Sequence, residues 1–155
     1  MSLQNELNLI KPIALKSHEA ILNIYFTAAC LKKKADLFFK NWNLTDVQFN
    51  LLMILHHQAD PEQGFTQTKL SEMLLVNKAN ITSLIDRMEK SCLVERRKIP
   101  GDRRSKRVIL SDIGKELITH IEPLYIQEVE RIMRFLTDKE KDCLIGDLEQ
   151  IRHQL

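Results

Sequence analysis

"LSEMLLVNKANITSLIDRMEKSCLVERR", residues 70–97, holds two short helical patterns separated by a brief turn. The first starts from a cap at Thr66 and puts Leu70, Met73 and Leu74 on one face. The second begins at Asn77, a residue type whose side-chain oxygen satisfies the free N–H groups of a helix start. Its apolar residues Ile81, Leu84, Ile85 and Met88 recur at helical spacing and form one stripe for burial. At about 100° per residue, the opposite face carries Ala79, Thr82, Ser83, Asp86 and Lys90, with Asn80 and Arg87 on its shoulder. Two helices, a tight turn, and a second helix with a small, polar outer face make a helix-turn-helix.

Just downstream, "ERRKIPGDRRSKRVILS" (95–111) gathers seven basic side chains around one Pro-Gly pair. The flanks "LVERRKI" and "SKRVIL" are β-type, so the stretch reads as a hairpin turning at Pro100, Gly101 and Asp102. The overall net charge of +2 hides an uneven distribution. Residues 66–110 hold eleven Lys/Arg against five Asp/Glu, a local +6, whereas residues 111–155 hold six against ten, or −4. The first 65 residues balance at six against six. A basic middle between neutral and acidic flanks suits a module that binds a polyanion.

The flanks are helical. From about Ile13 to Trp42 apolar residues recur at three and four. "LTDVQFNLLMILHH" opens with Thr45 and Gln48 in capping-box spacing and runs to about His57, and "QADPEQGF" follows as a loop. Ser111 caps a long helix to about Leu136, with Pro123 an expected kink. Thr137 and Glu140 form a second capping box, after which Leu144, Leu148, Ile151 and Leu155 make a seam. The fold class is therefore mainly α with a small β-hairpin wing.

Composition and motifs exclude several functions. A chain of 155 residues, 44% apolar and 28% charged, fits one globular domain. No apolar run approaches the ~20 residues of a membrane span, and "MSLQNELNLIKP" lacks the order of a signal peptide, so a cytoplasmic protein is expected. Cys30, Cys92 and Cys143 are odd in number and form no CxxC pair, against a disulfide framework or structural zinc. No metal site is expected: His56 and His57 are adjacent, hence about 100° apart on a helix, and His18, His120 and His153 have no ligand spacing. The four glycines are scattered and no HExxH or GxSxG occurs, so neither an enzyme nor a cofactor is expected.

The order of elements resembles the winged helix-turn-helix regulators of the MarR (multiple antibiotic resistance regulator) family. "LTDVQFNLLMIL" is similar to the family's LT-x-x-QF-x-x-L segment, and residues 70–97 to its helix-turn-helix. "GDRRSKRVILSDIGKEL" is similar to its D-x-R-S wing signature and the motif that re-enters a helix. The resemblance implies a homodimer in which residues 1–43 and 112–155 supply the dimerisation helices and residues 44–111 the DNA-binding lobe. It implies a transcriptional regulator, by expectation a repressor released by a small-molecule effector, reading a palindromic operator in double-stranded DNA.

In that reading the helix from Lys78 to Ser91 enters the major groove. Ala79 and Ser83 permit close approach, Asn80, Thr82 and Ser83 meet bases or phosphates, and Arg87 can make a bidentate contact to guanine. Lys78 and the helix N-terminus suit a phosphate. Asp86 orients Arg87 or a neighbouring cation. The wing pair Asp102 and Arg104 maps onto the family's minor-groove contact, flanked by Arg103, Ser105, Lys106 and Arg107. Of Arg96, Arg97 and Lys98, strand alternation sends only some to the duplex. Cys92 stands where the family usually has glycine, so it either accepts a left-handed backbone or ends the helix differently. Two alternatives remain. One is a redox-sensing regulator using Cys30 or Cys92, although Phe49 replaces a tyrosine of the family's peroxide-sensing branch. The other is a winged-helix module that binds protein.

Overall fold

A computed structural model of the chain describes residues 2–99 and 102–155, with the side chains of residues 78, 99 and 102–105 outside that description. In chain order it contains α1 (Leu3–Glu6), α2 (Lys16–Phe39), α3 (Asp46–His57), β1 (Phe65–Thr66), α4 (Gln67–Met73), α5 (Lys78–Lys90), β2 (Val94–Ile99), β3 (Asp102–Leu110), α6 (Asp112–Met133) and α7 (Asp138–Arg152). A single 3-10 turn, Lys40–Trp42, finishes α2. Among the described residues no helix is long and apolar enough to cross a membrane.

The helix starts follow their caps. Thr45 and Gln48 close the expected reciprocal pair, the Gln48 N–H donating to Thr45 Oγ1 at 3.3 Å and the Thr45 N–H to Gln48 Oε1 at 2.8 Å. Thr137 and Glu140 repeat it at α7, and Thr66, Asn77 and Ser111 cap α4, α5 and α6. Two elements escape the sequence pattern. The four-residue α1 is too short to show a period. The loop before α4 ends in β1, which pairs antiparallel with β3 (Phe65 opposite Val108, Thr66 opposite Arg107) and makes a three-stranded sheet in the order β1-β3-β2. Two residues carry no alternation to read, and Gly64 permits the approach: at φ +60°, a Cβ there would lie 2.0 Å from the Val108 carbonyl oxygen.

One core joins these elements. The stripe Ile81, Leu84, Ile85 and Met88 of α5 is buried, together with Leu70 of α4, Val94 and Val108 of the sheet, Leu51 and Leu52 of α3, and Ile118 and Ile121 of α6. Aromatic rings extend it towards α2. Phe39 stacks on Phe49 at 4.2 Å between centroids, and Tyr125 of α6 meets Phe49 edge-on at 4.8 Å. The terminal helices differ. No residue of α7 is buried, and its seam lies at the surface, with Leu144 42% and Leu155 100% exposed.

Both helices of the helix-turn-helix end in the same way. At the end of α4 the Leu75 N–H donates to the Glu72 carbonyl and the Val76 N–H to that of Ser71. At the end of α5 the Cys92 N–H donates to Glu89 and the Leu93 N–H to Met88, at 3.0 and 2.9 Å. These are Schellman closures, and they put Leu75 and Cys92 at φ +52° and +55°. Of the two exits open to Cys92, the chain takes the left-handed one. Beyond the wing, Gly114 lies so close to Leu93 that a Cβ would sit 2.1 Å from its carbonyl oxygen.

Leu75 is 92% exposed and Cys92 is exposed, so each substitution to glycine relieves strain without opening a cavity. Leu75→Gly and Cys92→Gly should each raise unfolding free energy by about 1 kcal/mol in urea titrations. Gly114→Ala forces main chain apart and should lower it by about 1–3 kcal/mol.

Candidate nucleic-acid interface

The buried stripe of α5 fixes which side of that helix faces water. Ala79, Asn80, Thr82, Ser83, Asp86 and Arg87 are all exposed, as their angular positions required. Asn77 caps the helix by accepting the Asn80 N–H at 2.8 Å. Arg87 lies back along the helix, its Nε donating to the Ser83 carbonyl at 3.3 Å. Lys78 is the first helical residue, and its side chain lies outside the described residues.

Arg96 resolves the two roles open to Asp86. Its side chain, only 13% exposed, turns from β2 towards α5 and donates to Asp86 Oδ1 and Glu89 Oε2, each at 2.5 Å. The Arg96 N–H also donates to Glu89 Oε1 at 3.2 Å. With the Gln67 amide swapped so that its oxygen faces the guanidinium, it would accept from Nε and Nη2 at 2.9 and 3.1 Å. Charge-assisted bonds of this kind are the strong class. They tie β2, α5 and α4 into one unit, and the single guanidinium offsets one of the two carboxylate charges on this face of α5. A signal for this was available: Arg96 shares strand parity with buried Val94 and stands opposite buried Val108, so it belongs to the inward face.

The rest of the wing sets like charges against each other. Arg97 stands opposite Arg107 and Lys98 opposite Lys106, before a register shift brings Ile99 opposite Asp102. Directly opposed like charges destabilise a sheet, and an anion between them reverses that cost. Lys98 and Lys106 are exposed. Arg107 donates to Gln63 Oε1 at 3.2 Å. Arg97 is 54% exposed and only loosely paired with Glu95 at 3.8 Å. Pro100 and Gly101, and the side chains of Asp102, Arg103, Arg104 and Ser105, lie outside the described residues.

Beside the recognition helix, Asn80 and Arg87 line a cleft of about 480 Å³ together with Lys32 and Lys40 of the α2 end. Asp36, also in its wall, is held below the usual carboxylate range, first by the Asp46 N–H and then by the Lys32 ammonium at 3.1 Å. Lys40 is a cation that helix periodicity alone did not bring to this surface. Cys30, Cys92 and Cys143 are free and exposed. His56 and His57, about 100° apart around α3, nevertheless bring their ring centroids to 4.7 Å of each other. Adjacent helix positions separate Cβ directions, not the ring atoms, which two further rotations place.

A sequence model of the MarR family matches residues 44–106. The uncharacterized HTH-type transcriptional regulator YsmB of Bacillus subtilis (strain 168) is 30% identical over 128 residues, 83% of this chain and 85% of that protein. The chain belongs to the MarR family. Another relative, the HTH-type transcriptional repressor YetL of the same organism, is 27% identical over 135 residues, covering 85% of this chain and 80% of that one. The crystal structure of the S. aureus MepR–DNA complex superimposes with a TM-score of 0.79 at 18% identity, over 87% of this chain and 96% of that one, and shares its fold. The protein is thus a DNA-binding transcriptional regulator of the MarR family, with a winged helix-turn-helix fold.

In this MarR-family regulator, Arg96→Gln leaves Asp86 and Glu89 without their cation. Duplex DNA binding, followed by fluorescence anisotropy, should weaken by roughly tenfold, the equivalent of one lost charge-assisted bond. Adding Asp86→Asn should restore part of the loss.

Proposed function

We propose that the protein acts as a homodimeric, sequence-specific repressor that reads a palindromic operator and leaves it when a small ligand binds. The observation that carries this reading is the exposed face of α5, small and polar, set beside a cationic wing and locked to it through Arg96. Lys78 and the start of α5 hold a phosphate, while Ala79 and Ser83 let the helix approach the major groove. Asn80, Thr82 and Arg87 meet base edges, Arg87 swinging away from its contact with the Ser83 carbonyl. Arg104, aimed by Asp102, enters the minor groove, and Arg103, Ser105 and Lys106 follow the backbone. Residues 44–111 form the DNA-binding lobe.

The dimer rests on the unburied apolar surface of residues 1–43 and 112–155. Ile10, Leu15, Tyr25, Leu37, Phe135 and Leu155 are each more than 60% exposed. Exposed apolar side chains gathered in the two terminal segments mark an interface, and a symmetric pair would cover both sets at once. The repressor sign is supported by the likeness to YetL, and DNA as the ligand by the fold shared with MepR in its DNA complex.

The effector's place is the crevice between α2 and α6, of about 440 Å³, lined by Ala28, Leu31, Phe38, Tyr125, Val129 and Met133 among others. Burial first, and then the Asp46 charge, push the Tyr125 hydroxyl above its ordinary value, so at neutral pH it stays a hydrogen-bond donor in an apolar wall. A small aromatic ligand with one acceptor fits that chemistry. A protein-binding wing leaves the clustered positive charge without a use.

Arg104→Ala should weaken binding to a genomically selected operator strongly, with dimer mass and thermal unfolding unchanged. It should also flatten the log–log salt dependence by about 0.9 if one phosphate contact goes with it. Wild-type affinity in the variant, or a stable monomer by sedimentation, would overturn the reading.

A further inference from the structure

We propose that His56, His57 and Glu122 form a site for one divalent late transition-metal ion of the zinc class, at the joint between α3 and α6. It goes beyond the DNA-binding reading and stands whether or not that reading holds. One donor atom from each of the three residues lies within 4.8 Å of the other two. His57 Nε2 and Glu122 Oε1 are 2.7 Å apart, and the His56 and His57 rings meet edge to face at 81°.

The placement has a simple origin. His56 and His57 are the last two residues of α3, and Glu122 comes across to them from the middle of α6. The carboxylate side chain is 19% exposed and therefore held, while the His57 ring, at 43%, is free to adjust. Donor atoms around a tetrahedral zinc ion with bonds of about 2.0–2.1 Å sit roughly 3.3 Å apart. Closing from the observed spacing needs movements on the order of 1 Å, which imidazole rotations supply.

The donor set selects the ion. Two imidazoles and one carboxylate suit zinc, nickel, cobalt or copper, whereas magnesium and calcium demand oxygen ligands. Three protein donors leave a fourth position for water. The C-terminal end of α3 adds the negative end of its helix dipole, which favours a cation. The ion replaces the direct His57–Glu122 hydrogen bond, and a neutral His57 that binds it through Nε2 carries its one N–H on Nδ1. The clamp then joins α3, in the core of the winged lobe, to the helix that carries the chain out of that lobe.

The test uses the tag-free, full-length chain stripped with a chelator and titrated with zinc chloride by calorimetry, with cobalt as the optical probe of coordination. The wild type should take up one ion per chain with a rise in Tm, because binding to the folded state alone stabilises it. His56→Ala, His57→Ala and the isosteric Glu122→Gln should each weaken binding roughly tenfold or more and remove the cobalt bands, while far-ultraviolet circular dichroism stays native. Absence of saturable uptake in the wild type overturns the proposal. So does undiminished uptake by a folded His56→Ala/His57→Ala double variant, which would move the ion to the free thiols of Cys30, Cys92 or Cys143.

Discussion

The carbonyl group of Leu93 is where the recognition helix, both long wing strands and the helix leaving the lobe are indexed to one another. It accepts the Ser111 N–H at 3.2 Å and faces Gly114 with no room for a side chain between. One residue earlier, the Cys92 carbonyl accepts the Ser111 hydroxyl at 2.5 Å, and that hydroxyl oxygen caps α6 by accepting the Gly114 N–H at 2.9 Å. Four element ends therefore meet at main-chain atoms and one serine hydroxyl. The left-handed Cys92 is a consequence: the chain must reverse within two residues to reach this point from α5.

Arg96 supplies the second fastening, several residues along the wing, through Asp86, Glu89 and Gln67. With one clamp at the root of the hairpin and another part-way along it, recognition helix and wing form a single rigid surface. Rigidity matters because groove and backbone contacts have to be made together. The clamp also offsets one of the two negative charges that α5 presents there. The next two rungs, Arg97 with Arg107 and Lys98 with Lys106, are pairs of like charge that a sheet would ordinarily avoid.

The lobe and the terminal helices solve the burial problem differently. Residues of α3 to α6 close a core within one chain, whereas α7 buries nothing and much of α2 keeps apolar side chains in solvent. Between them stands the aromatic group Phe39, Phe49 and Tyr125, with the α2–α6 crevice next to it. A ligand bound at that boundary can discriminate between arrangements of lobe and arm, and only such differential binding shifts an equilibrium.

Much of this was legible from residue order. Caps at Thr45, Thr66, Asn77, Ser111 and Thr137 and the stripe from Ile81 to Met88 depend on contacts within a few residues, so local spacing determined the helices, the hairpin and the outward face of α5. The family resemblance added the expected roles of the wing residues. The tertiary structure alone decided the rest. β1 exists because β3 offers it a partner, and His57 meets Glu122 across 65 positions. Such long-range pairings leave no periodic trace, since what joins the residues is the packing of separate elements and not their distance along the chain.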